Sequence, residues 1–420
     1  MRQMRSYLLT LAALAAILLS FASPSVTLAQ SRPQKPDTNR GEGKRNQRPA
    51  PKTEEQLKKE EEERKRLEEE KNAIVEDTVE RIESNIVNVD AVVYNKKTGQ
   101  IVTGLKKENF AIFEEGTKQT ISNFATPEAP ITVTLVVEYS KWTEVFGRAA
   151  GGYFEPGTYE VIRPVAQFLS GFIKAPNDYA SVIAFDMRPT PITDFTNDPG
   201  RLRATVDLLL RNRPAFRENN LFDAIKFALV GGRADSVVLE GSKERTAMYG
   251  GMVDVKAKRR AILLVASGID TFSKINLGEA RKVIQESGVP IYIISTGNLF
   301  FKRYEHYLDA TDSITGAPGR LTFLQARNQL QTFAKESGGQ LFEMTFESEI
   351  PAYLNSINAL LRNQYSLAYD LQGQHVPGKR YKIEVKVDVD GDGTFDEKQF
   401  VVQHRLFYTP AGQNAKKSDK

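Results

Sequence analysis

Hydrophobic and polar positions follow two different periods along this chain. Between Ile86 and Val102, in VNVDAVVYNKKTGQIV, apolar and polar residues alternate around Asn95-Lys96-Lys97-Thr98-Gly99, which predicts a half-exposed β-hairpin. Phe110–Phe113 predicts a further strand, turned by Glu114-Glu115-Gly116 into Gln119–Phe124. From Ile131 the alternation gives way to apolar runs separated by helical periodicity. Ile131–Ser140, Tyr179–Phe185, Arg260–Ala266, Pro290–Ser295 and Gln340–Met344 predict strands. Thr158–Ile173, Arg201–Leu210, Leu221–Val230, Leu277–Ser287, Leu321–Ser337 and Glu347–Leu361 predict helices, and Gly338-Gly339 supplies the stop after one of them. Ser236–Lys258 and Gly297–Arg320 read as insertions in this order.

Strands alternating with helices predict a doubly wound α/β domain over residues 131–362. After Asn363 the alternation returns, in Tyr365–Tyr369, Tyr381–Asp388 and Phe400–Phe407. Residues 85–130 and 363–410 each hold too few strands to close a sandwich, but together they reach immunoglobulin-like size. The two flanks are therefore expected to pack together, with the α/β domain inserted between them.

The N-terminal region is of another kind. Arg2 and Arg5 precede an apolar run from Tyr7 to Phe21, and Thr27-Leu28-Ala29 offers a cleavage point, so residues 1–29 read as a secretory signal peptide. An uncleaved anchor is the alternative, although the run is short for a span. Residues 30–52 form a basic arm with almost nothing to bury. Residues 53–84 read as a charged helical spacer, in which pairs such as Glu54/Lys58 and Glu62/Arg66 stand four apart with Glu first. Residues 411–420 read as a disordered tail. The chain's 420 residues carry a net charge of +4, which gives no cause to expect nucleic acid as a partner, and no cysteine, which excludes disulfides and thiol chemistry. The expected location is secreted or periplasmic.

Chemistry is sought first at the end of Ile131–Ser140, because parallel sheets carry working groups at the carboxyl ends of their strands. Here that end reads Glu138-Tyr139-Ser140-Lys141-Trp142. Together with VNVDAVVYNKKTGQIVTGLKKENFAIFEEGTKQTISNF, AFDMRPTPITDFTND, SGGQLFEM and INALLRNQYSLAYDL, it resembles the secreted bacterial proteins with a von Willebrand factor A-related (VWFA-related) domain. The resemblance covers about Ile86 to Pro410 and implies the A-type fold. The parent fold's site binds a divalent cation through an Asp-x-Ser-x-Ser strand end, a Thr and a distal Asp. Those positions fall here on Glu138, Ser140, Trp142, Asn219 and Ser267. An indole cannot ligate a hard cation, so no metal is expected at this top face, with Asp270 or Asp223 as conceivable substitutes. On this reading Glu138, Ser140, Trp142, Asn219 and Ser267 form a partner-binding top face.

A second motif is the acidic turn Asp388-Val-Asp-Gly-Asp-Gly-Thr-Phe-Asp396. Asp388, Asp390 and Asp392 take positions 1, 3 and 5 of a calcium loop, Gly393 takes position 6 and Asp396 position 9. Asp388, Asp390, Asp392, Thr394 and Asp396 are the candidate metal residues, and calcium the candidate ion. Position 12 is Gln399 rather than Glu, and Asp-Gly equally suits a plain hairpin.

No nucleophile–base–oxyanion pattern, phosphate loop or histidine metal spacing is present: His306, His375 and His404 lie far apart. The expected function is a non-enzymatic protein-interaction module. The alternatives are a divalent-cation-dependent adhesin and a hydrolase, the latter requiring a pocket of convergent polar groups.

Overall fold

The computed structural model describes residues 86–140, 148–150, 153–155, 157–211, 214, 216–234, 247–255, 257, 259–314, 318–373 and 375–410. All lie within the compact unit Arg81–Lys420. The signal-peptide, arm, spacer and tail readings, and Trp142, fall outside the described residues.

In chain order the strands begin with β1 (Ile86–Asn95), β2 (Phe110–Glu114), β3 (Thr117–Gln119), β4 (Ile121–Ala125) and β5 (Ile131–Glu138). Two short hairpins follow at different points, β6 (Arg148–Ala150) with β7 (Tyr153–Glu155), and β10 (Gly231–Ala234) with β11 (Ala247–Gly250). Between them run β8 (Tyr179–Phe185) and β9 (Pro189–Thr196). Then come β12 (Arg259–Ala266), β13 (Ile291–Ser295), β14 (Leu341–Glu343), β15 (Tyr365–Asp370), β16 (Tyr381–Val387), β17 (Phe400–Gln403) and β18 (Phe407–Tyr408).

The central sheet runs β14-β13-β12-β5-β8-β9, with β9 antiparallel at the edge and its other neighbours parallel. Numbered within the sheet, this is the order 3-2-1-4-5-6 of a doubly wound α/β fold, whose direction reverses between β5 and β12. Every residue of β5 is buried, because helices cover both faces. Ile131, Val133, Leu135 and Val137 pack with helices Gly157–Phe172, Pro199–Arg211 and Ile350–Arg362. Val136 faces the opposite layer, built from helices Leu221–Val230, Leu277–Ser287 and Arg320–Ser337. Thr134 hydrogen-bonds Ser181 at 2.9 Å, and Ser181 bonds the Tyr249 hydroxyl at 2.7 Å, so these buried polar groups on neighbouring strands satisfy one another.

The flanking strands pair with each other across the length of the chain. β1 runs antiparallel to β15 over Ile86–Ala91 and to β17 over Val92–Asn95. β2 pairs with β16, giving two four-stranded sheets, β17-β1-β15-β4 and β18-β16-β2-β3. Val87, Val89, Ile112, Tyr365, Leu367, Ile383 and Val385 share one core between them. Inside it Glu114 accepts from the Tyr369 hydroxyl and pairs with His375 Nε2 at 2.6 Å.

Three local expectations change. The hairpin around Asn95–Gly99 forms but is short: Asn95 N donates to the Gln100 carbonyl and Val102 N to the Val93 carbonyl around the Tyr94–Ile101 bridge, while upstream Ile86–Ala91 pairs with β15 instead. Phe400–Phe407 is not one strand: β17 and β18 belong to different sheets, and buried Arg405 lies between them. The supposed insertion after Ser295 opens with a helix, Thr296–Tyr304, held by stacking of Phe300 on Phe323 at 5.1 Å.

The chain enters the α/β unit through Pro127–Pro130 and leaves it after Arg362, and a single buried cation ties both crossings. Arg259, fully buried at the start of β12, donates Nη1 to the Pro127 and Ala129 carbonyls at 2.5 and 2.6 Å and Nη2 to the Leu361 carbonyl. Beside it Arg362 bonds Asp178 at 2.7 Å, and Asp178 also receives the Ile131 amide at 3.0 Å. Replacing Arg259 with Met should lower unfolding free energy by about 2–4 kcal/mol, since three carbonyls would stay buried without donors. Lys, lacking the planar fork, should recover little of this. Urea denaturation is the check, and wild-type stability in Arg259→Lys would show that the fork is dispensable.

Candidate functional site

The crevice where the sheet order reverses lies over the carboxyl ends of β5 and β12, and Glu138 is the last residue of β5. Its carboxylate draws three chain segments together. Oε1 accepts from the Ser140 hydroxyl at 2.7 Å and the Asn219 amide at 3.0 Å. Oε2 accepts from the Ser267 backbone N–H at 2.6 Å. Burial pushes the Glu138 carboxyl above its ordinary range, while the hydrogen bonds from Ser267, Ser140 and Asn219 oppose this.

The neighbouring loop is fastened to the same place. Asn219 N donates to Thr271 Oγ1 at 2.9 Å, and its carbonyl receives the Thr271 and Phe272 amides. Asp270 accepts from the Phe222 amide at 3.2 Å and from the Ser273 hydroxyl at 2.5 Å, while Ser273 also receives the Asp223 amide. These acceptors satisfy the open N–H groups at the start of helix Leu221–Val230 and place an acid at the positive end of its dipole. Asp223 accepts the Lys274 and Ile275 amides.

The structure thus brings Glu138, Ser140, Asn219 and Ser267 into one hydrogen-bonded cluster. All four are buried, at 5% exposure or less, which corrects the expectation that these side chains themselves form a contact face. They lie beneath the top loops and fix them. The sequence reading missed Thr271 and Ser273, and treated Asp270 and Asp223 only as spare ligands. Their roles depend on a helix start some fifty residues away in the chain, and no local pattern marks that.

A hard divalent cation needs several oxygens turned toward one point. Here both Glu138 oxygens already accept from donors, and Ser140 and Asn219 present their hydroxyl and amide hydrogens to that carboxylate. Asp270 caps helix Leu221–Val230, and Asp223 accepts two loop amides. Asn219 Oδ1 is buried without a partner, but one neutral oxygen beside an engaged carboxylate is fewer than the oxygens a hard divalent cation takes.

The acidic turn has the opposite character. Oxygens of Asp388, Asp390 and Asp392 lie within 4.8 Å of one another, and the latter two side chains are exposed. Asp388 accepts the Gly391 and Gly393 amides at 2.7 and 2.8 Å, and Asp396 accepts the Val389 amide at 2.8 Å. Gly391 and Gly393 adopt φ of 77° and 89°, where a side chain would be strained. Thr394 donates its amide and hydroxyl to Asp392 at 2.7 and 2.6 Å, which holds the Asp392 carboxyl below its ordinary range. At Asp390 the hydrogen bond from the Asp392 amide lowers the pKa, but desolvation and the charges of Asp392 and Asp396 outweigh it and leave it raised.

The raised Glu138 pKa has a definite sign in stability. The folded state holds this proton more tightly than the unfolded chain, whose ordinary value is 4.5. The contribution is full below that value and is lost as pH rises from it through the folded-state value. Urea midpoints from about pH 4 to about pH 7 should therefore fall in wild type relative to Glu138→Gln, which has no titration here. Parallel curves for the two proteins would remove this assignment.

No family model matches the chain, and no curated protein sequence does. Among solved structures it is similar to the PilB minor pilin from Streptococcus sanguinis, at 11% identity over 56% of this chain and 62% of that one, with a TM-score of 0.38. Proximal thread matrix protein 1 from the mussel byssus is similar at 10% identity over 59% of this chain and 49% of that one, with a TM-score of 0.36. The vWF domain of the type V pili tip protein Mfa5 from Porphyromonas gingivalis is similar at 12% identity, covering 60% and 99%, with a TM-score of 0.35. The chain spans about half of the matrix protein and less than two thirds of the pilin.

Proposed function

We propose that this chain is a non-enzymatic protein-interaction module of the extracytoplasmic space, an A-type domain inserted between the halves of an immunoglobulin-like sandwich. One observation carries this reading. At the sheet reversal, where doubly wound folds place their chemistry, the Glu138 carboxylate is engaged by three hydrogen-bond donors. A group so engaged is poorly placed to act as a base or to hold an open metal position, but it is well placed to hold loops in one shape. A preformed loop surface gains affinity by lowering the ordering cost of binding. We assign Trp142, four residues beyond Glu138 in the chain, as the aromatic anchor for a partner. Among the described residues no helix is long and apolar enough to cross a membrane, and the leader-like residues 1–29 support export.

Cross-linking of the whole protein in a cell-envelope extract tests the module. Partner recovery should survive EDTA and drop in Trp142→Ala. Loss of recovery in EDTA, restored by magnesium, would instead establish the cation-dependent adhesin.

We infer further that the acidic turn takes calcium as a structural clip, with Asp388, Asp390, Asp392, Thr394 and Asp396 around it. The support is the convergence of three carboxylates, whose mutual repulsion a cation would relieve. With an extracellular-type Kd on the order of 1 mM, calcium at about 10 mM would stabilise the fold by about 1.4 kcal/mol. Thermal unfolding should shift upward with calcium in wild type and not in Asp390→Ala. An equal shift in both proteins would place the ion elsewhere.

A further inference from the structure

An open cleft of about 890 Å³ lies near the loops that the Glu138 cluster fixes, within the size range of binding pockets. Its walls are the turn between β8 and β9, the outer side of helix Leu221–Val230, β10, and the loop after β12. Arg188, Lys226, Arg233 and Lys274 line it, against two carboxylates, Asp186 and Asp223. Asp223 is already committed to the Lys274 and Ile275 amides. Among the described residues, the Lys226, Arg233 and Lys274 head groups have no ion-pair partner, and all three side chains are exposed.

Exposed aromatic rings also point to a ligand. Phe216 and Phe272 line the same cleft at 46% and 51% exposure, a large apolar area beside the cations. Asn220, 3% exposed, braces the cleft wall through its amide nitrogen, which donates to the Met187 carbonyl at 3.1 Å. The wall that carries Arg233 is also held close: a Cβ at Gly231 would lie 2.4 Å from the Tyr249 carbonyl oxygen, so only glycine lets β10 approach β11 there.

We propose that this cleft is the docking groove for an acidic, extended peptide segment of a protein partner, an inference that rests on the interaction-module reading. Its carboxylates meet Lys226, Arg233 and Lys274, and an apolar side chain seats on the Phe216 and Phe272 rings. The exposed rings beside the cations favour a peptide over a bare polyanion.

The test uses the whole protein and a fluorescent peptide of alternating Glu and Leu, with a Gln/Leu peptide and a single-stranded oligonucleotide as comparators. The Glu/Leu peptide should bind and weaken with salt. Binding should fall roughly tenfold or more in Lys226→Glu/Arg233→Glu and also fall in Phe272→Ala, at unchanged Tm. Equal binding of the Gln/Leu peptide, equal binding of the oligonucleotide, or no loss in the charge-reversed protein would each overturn the proposal. So would self-association that the charge reversal abolishes, since the occupant would then be a second copy. Envelope partner recovery that persists in the charge-reversed protein would overturn the cleft alone. Absence of any recovered partner in wild type would overturn the module reading as well.

Discussion

Arg259 is the point on which the two halves of this fold depend. The chain passes between the flanking sheets and the central sheet twice, and each passage leaves backbone carbonyls near the buried seam. Arg259 answers with one planar guanidinium that reaches the entering segment at Pro127 and Ala129 and the departing helix at Leu361. The last of these carbonyls belongs to the end of helix Ile350–Arg362, where a cation is also favoured by the dipole. The adjoining Arg362–Asp178 pair fastens the same seam to the start of β5 through the Ile131 amide. Buried charge is expensive, and here hydrogen bonds to several backbone groups offset that cost.

The second constraint is a buried anion at the other end of β5. Glu138 is held by a hydroxyl, a side-chain amide and a backbone N–H. Each donor comes from a different place in the chain, so the carboxylate spans the switch point and couples β5 to β12 and to the loop before helix Leu221–Val230. Thr271, Asp270 and Ser273 extend the same fastening. Rigidity at the top is thus arranged from beneath, which leaves the outer surface of the loops and the adjoining cleft available for contact.

The α/β order was legible because helical and strand periods differ and each element carries its own apolar pattern. Tyr179–Phe185 and Leu277–Ser287 read directly from their residues and stand at those bounds. The acidic turn was legible as well, since its spacing, its glycines and its Asp-to-amide hydrogen bonds are all local. The hairpin at Asn95–Gly99 was legible at its turn but not in its length, because local alternation does not say that β15 pairs with the upstream part of β1. Phe400–Phe407 misled for a related reason, its two ends serving different sheets.

What the sequence by itself determined is the alternating order of the main strands and helices, the positions aligned with a metal-site strand end, and the residue spacing of the acidic turn. These depend on residue type and short spacing, which the chain carries wherever it goes. Only the tertiary structure decided that Glu138 is buried and answered by Ser140, Asn219 and Ser267, and that Lys226, Arg233 and Lys274 share a cleft with Phe216 and Phe272. Burial and charge proximity arise from the packing of segments distant in sequence. Whether a carboxylate is a ligand, a switch or a fastening is therefore settled by the neighbours that folding supplies.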